Sequence, residues 1–332
     1  MRTKSLYDVR YIENLKDLLE QSANAFAEKA AFWIKIEGGE FRSITYRCFK
    51  EDVEALGTAL TALGLENSFV AVMSENRYEW CTSYLAVACH TGVVVPLDRE
   101  LPVSEKGNLL QRSGASAVIF SGRYSKDMLE VKNKAGTVKY FINMDLEDDT
   151  EDFLSYKKLL EMGRQRLEQK SAAMDRRVID NNALGVLLFT SGTTDLAKGV
   201  MLSHKNICSN IMAVRKTVFV ECGDVSLSIL PLHHTYECTL GFLTLIYSGG
   251  TIAFNEGLKH IQKNFLEVRP TILVTVPLLL ENMYKKIWGQ IKKKPGNTTY
   301  SVIPGLFCTI YFGGADGSRT HLCSLGSCRS TI

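Results

Sequence analysis

The decapeptide Thr190–Gly199, TSGTTDLAKG, lies between two apolar stretches, Leu184–Phe189 and Val200–Leu202. We interpret the apolar stretches as strands and the decapeptide, named here the phosphate loop, as their connection. Its hydroxyl side chains, a glycine that lets backbone N–H groups approach an anion, and Lys198 suit the binding of a polyphosphate. A plain surface turn has a similar composition, so composition alone leaves both interpretations open.

The phosphate loop is not a Walker A loop, in which glycine stands directly before the lysine and serine or threonine directly after it. Here Ala197 precedes Lys198 and Gly199 follows it. The sequence also shows no helical pattern that begins at this point. The assignment of the loop to nucleotide binding therefore depends on other segments of the chain.

Three further segments carry motifs in a defined order along the chain. They are Val93–Asp98 (VVVPLD), Leu230–Glu237 (LPLHHTYE, followed by a Gly-Gly pair at 249–250) and Tyr311–Ala315 (YFGGA). Together with TSGTTDLAKGVMLSH, they resemble the motifs of the adenylate-forming (ANL) superfamily, which includes acyl-CoA synthetases, firefly luciferases and the adenylation domains of peptide synthetases. The LPxxHxxE pattern is most similar to the long-chain fatty-acid–CoA ligase branch. The resemblance covers the N-terminal portion of such an enzyme, its AMP-binding domain.

The phosphate loop departs from the family pattern TSGTTGxPKGV at two positions. Asp195 stands where the family has glycine, and Ala197 stands where it has proline. Aspartate tolerates a left-handed backbone better than most residues, but its carboxylate would lie near a triphosphate, so we expect weakened ATP binding. The loss of proline leaves the loop more freedom before binding, an effect of about 1 kcal/mol or less.

The resemblance implies a set of site residues. The expected nucleotide-binding residues are Thr190, Ser191, Gly192, Thr193, Thr194, Lys198, Gly313, Gly314 and Ala315. Thr190 and Thr194 are the expected magnesium ligands, and Lys198, Thr194 and His234 are the expected catalytic residues. This selection suits the chemistry, because attack of a carboxylate on the α-phosphorus of ATP requires alignment and charge neutralisation rather than acid–base catalysis.

The segment LPLHHTYE holds two histidines and an acid. His234 follows a predicted strand end, where open α/β sheets bind ligands, and the resemblance puts it beside the acyl group or the α-phosphate. We expect the adjacent His233 to be structural. Glu237 either orients His234 or faces solvent, and the sequence favours neither alternative.

The resemblance implies ATP-dependent activation of a carboxylic acid, and of a long-chain fatty acid in particular, to an acyl-adenylate and then an acyl-CoA. ATP, Mg²⁺ and coenzyme A are the expected cofactors and co-substrates. After Ala315 the sequence DGSRTHLCSLGSCRSTI carries no family motif, so we expect an interrupted chain with an aberrant, disordered tail at 316–332. Two alternatives stay open: an impaired fragment that only binds nucleotide or acyl groups, and an adenylation domain that loads a carrier protein.

Strands that alternate with helices predict an α/β fold with two stacked, mostly parallel sheets and helices between and around them. We expect one α/β subdomain over residues 1–178 and a second, with the phosphate loop, over residues 179–315. The predicted helices cover 14–26, 46–63, 78–89, 103–113, 153–170 and 278–294. The predicted strands cover 69–73, 93–95, 117–120, 184–189, 200–202, 225–230, 251–254, 271–276 and 307–312, with a hairpin at the Gly-Gly pair 38–39.

Composition limits the remaining function classes. A net charge of +3 is too small for a nucleic-acid-binding face, so we expect no nucleic-acid partner. No apolar run suits a spanning helix or a signal peptide, which favours a cytoplasmic protein. The nine scattered cysteines favour reduced thiols over disulfides or metal sites. The basic, amphipathic segment Leu278–Lys294 is typical of a surface helix, with reversible contact to an anionic membrane as the alternative.

Overall fold

The computed structural model describes residues 7–134, 136, 138–169, 178–190 and 197–292, and the statements below concern these residues. They form two β-sheets with helices on both faces of each sheet. From edge to edge, the larger sheet holds β7 (Leu154–Ser155), β6 (Tyr140–Asn143), β5 (Ala115–Phe120), β3 (Phe69–Met73), β4 (Val93–Pro96), β8 (Leu184–Thr190) and β9 (Lys198–Ser203). Every neighbouring pair is parallel except β8 and β9, which are antiparallel.

The smaller sheet holds β10 (Val225–Ser228), β11 (Thr251–Phe254), β1 (Ala30–Lys35) and β2 (Phe41–Thr45), in this order. The first three strands are parallel, and β1 and β2 form an antiparallel hairpin around the predicted Gly-Gly turn. Gly38 and Gly39 both have positive φ angles, which explains why glycine suits this turn.

The main core lies between the two sheets. Side chains alternate along each strand, so Val70 and Val72 face this core whereas Ala71 and Met73 face the opposite side of the larger sheet. On the smaller sheet Phe32 and Ile252 face the same core. The helices that contribute to it are α1 (Leu15–Phe26), α2 (Tyr46–Ala62), α3 (Tyr78–Ala86), α6 (Tyr156–Gln169), α7 (His204–Arg215) and α8 (Thr244–Ser248).

Two smaller cores cover the outer faces of the sheets. Helices α4 (Val103–Ser113) and α5 (Ser125–Lys134) pack on the larger sheet, and α9 (Ile261–Val268) packs on the smaller one. The last described helix is α10 (Pro277–Lys292). The resulting order of layers is helix, sheet, helix, sheet, helix. It confirms the predicted fold class of two stacked, mostly parallel sheets with helices between and around them.

Helix ends follow local sequence signals. Asn14 caps α1 by accepting a hydrogen bond from the Asp17 amide at 2.9 Å. Ser203, at the exit of the phosphate loop, caps α7 and forms a capping box with Asn206. Helix α7 therefore begins directly where β9 ends.

Some predicted elements differ from the structure. The predicted strand at 271–276 is wrong, because the described chain there makes a single bridge from Ile272 to Ser226. Two short π-helical segments, Val87–Thr91 and Glu237–Leu243, were not predicted. Both sheets contain strands from both sides of residue 178, so the expected subdomain boundary does not separate the sheets. The division into two subdomains at residue 178 stays a prediction. The predicted strand at 307–312 and the predicted tail at 316–332 lie outside the described residues.

Candidate active site

Polar residues follow the carboxyl ends of the parallel strands in the larger sheet. Asn76 lies beyond β3, Asp98 beyond β4, Ser121 beyond β5 and Asp145 beyond β6, while Thr190 ends β8. These strands run in one direction, so their carboxyl ends share one edge of the sheet. This edge is where open α/β sheets bind ligands.

Asn76 connects this edge to the smaller sheet. Its amide nitrogen donates to the Ser228 hydroxyl at 2.9 Å and to the Leu230 carbonyl at 2.6 Å. Its amide oxygen accepts from the backbone N–H of Leu232 at 3.1 Å. Because Ser228 ends β10, one side chain joins the carboxyl ends of both sheets.

The stems of the phosphate loop are held in register. Thr190 and Lys198 are paired residues of the antiparallel strands β8 and β9, and both are exposed. The Arg112 guanidinium donates to the Ala197 carbonyl at 2.6 Å and lies 5.7 Å from the centre of the Phe189 ring. The base of the loop is therefore closed at the carboxyl edge of the larger sheet, with the Lys198 ammonium on the surface.

The two histidines of the LPLHHTYE segment have different surroundings. His234 is exposed, and its backbone N–H donates to the Pro231 carbonyl at 3.1 Å. His233 is mostly buried, and its Nε2 lies 3.7 Å from an Asp98 carboxylate oxygen. Burial lowers the pKa of His233 to about 4, so this contact is not an ion pair at neutral pH. The packed position of His233 agrees with the structural role expected of it.

A cavity of about 400 Å³ lies beside these residues, between the carboxyl ends of the two sheets. Asn76, Arg99 and Arg123 line it from the larger sheet, and Ser228 and Asn255 line it from the smaller one. Apolar side chains from the loop after β10 and from the chain at the start of α10 also line it, among them Ile229, Leu230, Val276, Leu278 and Leu279. The volume is within the range of small-molecule sites.

The AMP-binding enzyme family matches residues 19–325 of the chain. The chain belongs to the AMP-binding enzyme family. This match confirms the resemblance drawn from the four motifs, because it spans all of them.

Curated relatives agree with this assignment. Long-chain-fatty-acid–CoA ligase 5 of Mus musculus is 30% identical over 274 residues, which are 76% of this chain and 39% of that protein. Fatty acyl-CoA synthetase A of Dictyostelium discoideum is 30% identical over 261 residues, which are 75% of this chain and 38% of that protein. The chain thus spans about two fifths of the length of these relatives.

Solved structures show the same fold. A long-chain-fatty-acid-CoA ligase from Archaeoglobus fulgidus superposes with a TM-score of 0.71 at 20% identity, covering 86% of this chain and 55% of that chain. The adenylation domain of a carboxylate reductase from Mycobacterium chelonae gives a TM-score of 0.74 at 18% identity, covering 85% and 49%. At these identities the likeness concerns the fold.

The structure places only part of the predicted site. Thr190, Lys198 and His234 are described, and each lies at the carboxyl edge of a sheet or in the loop beyond it. The remaining predicted residues, Ser191, Gly192, Thr193, Thr194, Gly313, Gly314 and Ala315, lie outside the described residues. The roles assigned to all of these residues therefore stay predictions.

Of the two alternatives considered for Glu237, the structure excludes the one in which it faces solvent. It is 1% exposed, so it does not face solvent, and one carboxyl oxygen accepts a hydrogen bond from the Ser228 hydroxyl at 2.6 Å rather than one from His234. No pattern in the sequence predicts this contact, because it depends on a π-helical turn and on a partner in β10. Asn76 and Arg112 were also not identified from the sequence as residues of the site. Each of them contacts a segment that is distant in sequence.

Neither a spanning helix nor a metal cluster occurs in the described parts of the chain. No helix there is both long and apolar enough to cross a membrane. No group of three or more His, Cys, Asp or Glu side chains there could hold a metal ion.

Proposed function

We propose that this chain carries the nucleotide-binding part of an ATP-dependent ligase that activates a long-chain fatty acid. The observation that carries the proposal is the family's phosphate-loop sequence on a strand pair that ends at the carboxyl edge of the larger sheet. There the paired residues Thr190 and Lys198 present a hydroxyl and an ammonium group to solvent. The names of the relatives support the fatty acid as substrate.

Two group transfers make up the proposed reaction. A carboxylate oxygen attacks the α-phosphorus of ATP, the bond to the pyrophosphate oxygen breaks, and an acyl-adenylate remains. The thiol sulfur of coenzyme A then attacks the acyl carbonyl, losing its proton, and AMP leaves. In the first step Lys198 would neutralise charge on the β- and γ-phosphates, and His234 would donate a hydrogen bond on the acyl or α-phosphate side.

The described residues are compatible with magnesium bound through the nucleotide. Mg²⁺ prefers oxygen ligands and is usually held by few protein groups together with substrate phosphates. The exposed hydroxyl of Thr190 is one such oxygen. Because no group of three or more His, Cys, Asp or Glu side chains in the described parts of the chain could hold a metal ion, phosphate oxygens would supply most of the ligands. Bound magnesium would neutralise the charge of the triphosphate.

Calorimetric titration with Mg·ATP tests the nucleotide site. We expect Lys198→Ala to weaken binding by about tenfold or more, equivalent to about 1.4 kcal/mol, because the cation is lost from the phosphates. Lys205→Ala is the matched control, since Lys205 is also exposed and lies just beyond β9. Equal affinity of Lys198→Ala and the unmodified chain would contradict the assignment.

Pyrophosphate exchange with palmitate, benzoate and amino acids tests the acid that is activated. Exchange with palmitate alone supports the fatty-acid assignment, and exchange with amino or aryl acids contradicts it. Loading of a carrier protein stays an alternative, because a long-chain-fatty-acid–[acyl-carrier-protein] ligase of Arabidopsis thaliana is 23% identical over 83% of this chain and 39% of that protein. Binding of ATP without any exchange would support the impaired-fragment alternative.

Contact with a membrane through the segment Leu278–Lys294 is a second proposal. In α10 the apolar side chains of Leu278 and Tyr284 are 67% and 62% exposed, and Lys285 and Lys286 are exposed beside them. Such a surface suits an anionic bilayer, where each lysine contributes about 1 kcal/mol. Flotation with anionic vesicles at low salt tests it, and protein that stays at the bottom of the gradient contradicts it.

A further inference from the structure

Glu237 is a buried acid with one described partner. One carboxyl oxygen accepts a hydrogen bond from the Ser228 hydroxyl at 2.6 Å. The other, Oε2, is buried and has no hydrogen-bond partner within the described residues. Gly241 packs against the carboxyl group, because a Cβ added to that glycine would lie 2.6 Å from the Glu237 carboxyl carbon. Glu237 is therefore fixed between the end of β10 and the next turn of its own helix.

The contact of Glu237 continues to the larger sheet. The Ser228 hydroxyl, which donates to Glu237, also accepts the hydrogen bond from the Asn76 amide at 2.9 Å. Asn76 in turn binds the backbone of Leu230 and Leu232. Through Ser228 and Asn76, Glu237 is thus connected to the backbone of the segment that directly precedes the two histidines.

We propose that Glu237, acting through Ser228 and Asn76, positions the segment 229–234 against the carboxyl edge of the larger sheet and so sets the place of His234. Glu237 is a positioning residue, because its carboxyl group contacts Ser228 and Gly241 rather than the open cavity. The positioning stands on the contacts alone, whereas its consequence for nucleotide binding rests on the function proposed above.

The surroundings of Glu237 favour its neutral form. Burial raises the pKa of Glu237 to about 8, and the hydrogen bond from Ser228 opposes this rise. The titratable groups that face it are Cys81 on α3 and Tyr236 and Cys238 on its own segment, all neutral at pH 7. The carbonyl oxygen of a neutral carboxyl group accepts the hydrogen bond from the Ser228 hydroxyl as an amide oxygen would. Glutamine is therefore the matched replacement for Glu237.

Titration of the histidine imidazoles by NMR tests the positioning without any ligand. The reporter is His233, whose pKa of about 4 depends on its burial beside Asp98. We expect Ser228→Ala and Glu237→Met to release the segment and to shift the His233 pKa upward, toward its ordinary value of 6.5. We expect Glu237→Gln to keep the low value, because it keeps the acceptor. The His233 resonance is assigned as the imidazole signal that is missing from the spectrum of the His233→Gln variant.

Ser226→Ala is the matched control. Ser226 lies two residues earlier on the same face of β10, is equally buried, and its hydroxyl has no partner among the described groups. We expect this control to leave the His233 pKa unchanged. If replacing a buried serine of β10 acted only by destabilising the fold, both serine variants would shift the His233 pKa. Positioning through Ser228 predicts a shift of this pKa only in Ser228→Ala.

The second measurement is calorimetric affinity for Mg·ATP. We expect Ser228→Ala and Glu237→Met to weaken it about fivefold, equivalent to one hydrogen bond of about 1 kcal/mol. A His233 pKa that stays near 4 in both variants overturns the proposal. A shifted His233 pKa with unchanged nucleotide affinity supports the positioning but contradicts the role of His234 at the nucleotide. If the unmodified chain binds no nucleotide, the proposed function fails while the histidine titration still decides the positioning.

Discussion

At the scale of single residues, Arg112 contacts the strand that precedes the phosphate loop and the residue directly before β9. Its guanidinium binds the carbonyl of Ala197, the position where the family pattern has proline, and stacks near the Phe189 ring. Proline would restrict the backbone at this point by fixing φ. In this chain a hydrogen bond from α4 restrains the same stem instead, and a cation–π contact from the same arginine restrains the opposite stem. The departure from the family pattern at Ala197 is therefore balanced by a contact from elsewhere in the fold.

This balance predicts a dependence between two positions. We expect Arg112→Met to weaken Mg·ATP binding about three- to fivefold, because the stem that carries Lys198 loses a hydrogen bond and the opposite stem loses a ring contact. Adding Ala197→Pro should restore most of the affinity in that variant and change it less in the unmodified chain. Calorimetry on the four proteins measures the coupling, with the exposed Arg166→Met as control. Additive effects of the two substitutions would show that Arg112 and Ala197 act independently.

Glu237 predicts a pH dependence of stability. Folding raises its pKa from the ordinary 4.5 to about 8, so between these values the folded chain keeps a proton that the unfolded chain has released. The free energy of unfolding should therefore fall as the pH rises through this window, by up to about 4 kcal/mol. Glu237→Gln lacks this contribution, so its stability relative to the unmodified chain should increase from pH 5 to pH 8. Urea unfolding at both pH values measures the difference, and parallel pH profiles would contradict a raised pKa.

At the scale of helices and strands, the sequence predicted local elements well. Strand Phe69–Met73 and helix Val103–Ser113 begin and end where their patterns predict. Their positions depend on apolar periodicity and on Gly114, which ends the helix in a left-handed conformation. The neighbours of each strand depend on contacts between distant segments, and a single sequence does not reveal those. The π-helical turn at 237–243, which turns Glu237 inward, departs from the 3.6-residue period and escaped prediction for that reason.

The packing of α6 against α2 gives a prediction for a glycine. A Cβ added at Gly163 would lie 1.9 Å from the Ala55 carbonyl oxygen, so one helix would have to move. We expect Gly163→Ala to lower the free energy of unfolding by about 1–3 kcal/mol. Gly107→Ala is the control, because its added Cβ would meet Val131 at an ordinary 3.8 Å and alanine favours a helix. Urea unfolding that ranks the two variants equally would contradict the close approach of α6 and α2.

At the scale of the whole molecule, the chain crosses between the sheets more than once. The smaller sheet takes β1 and β2 from the first fifth of the chain and β10 and β11 from well beyond residue 200. Near the N-terminus Arg10 donates to the Tyr247 carbonyl at 3.1 Å, and the Tyr247 hydroxyl donates back to the Arg10 carbonyl at 2.6 Å. The core between the sheets contains side chains from all of these segments. Neither half of the sequence holds a complete sheet pair.

This topology predicts that residues 1–178 do not fold independently. Without β11 the hairpin β1–β2 lacks its parallel neighbour, and Phe32, which is fully buried in the whole chain, would lose the packing of Phe242 and Phe254. An isolated hairpin is at best marginally stable in water, and the exposed apolar face favours association. We therefore expect residues 1–178, expressed alone, to unfold without a cooperative transition in urea and to bind an apolar dye, whereas the 332-residue chain unfolds in one transition. Co-expression with residues 179–332 should restore the transition, because it returns the missing strands. A sharp transition in the isolated segment would instead show that the division at residue 178 separates two independently stable units.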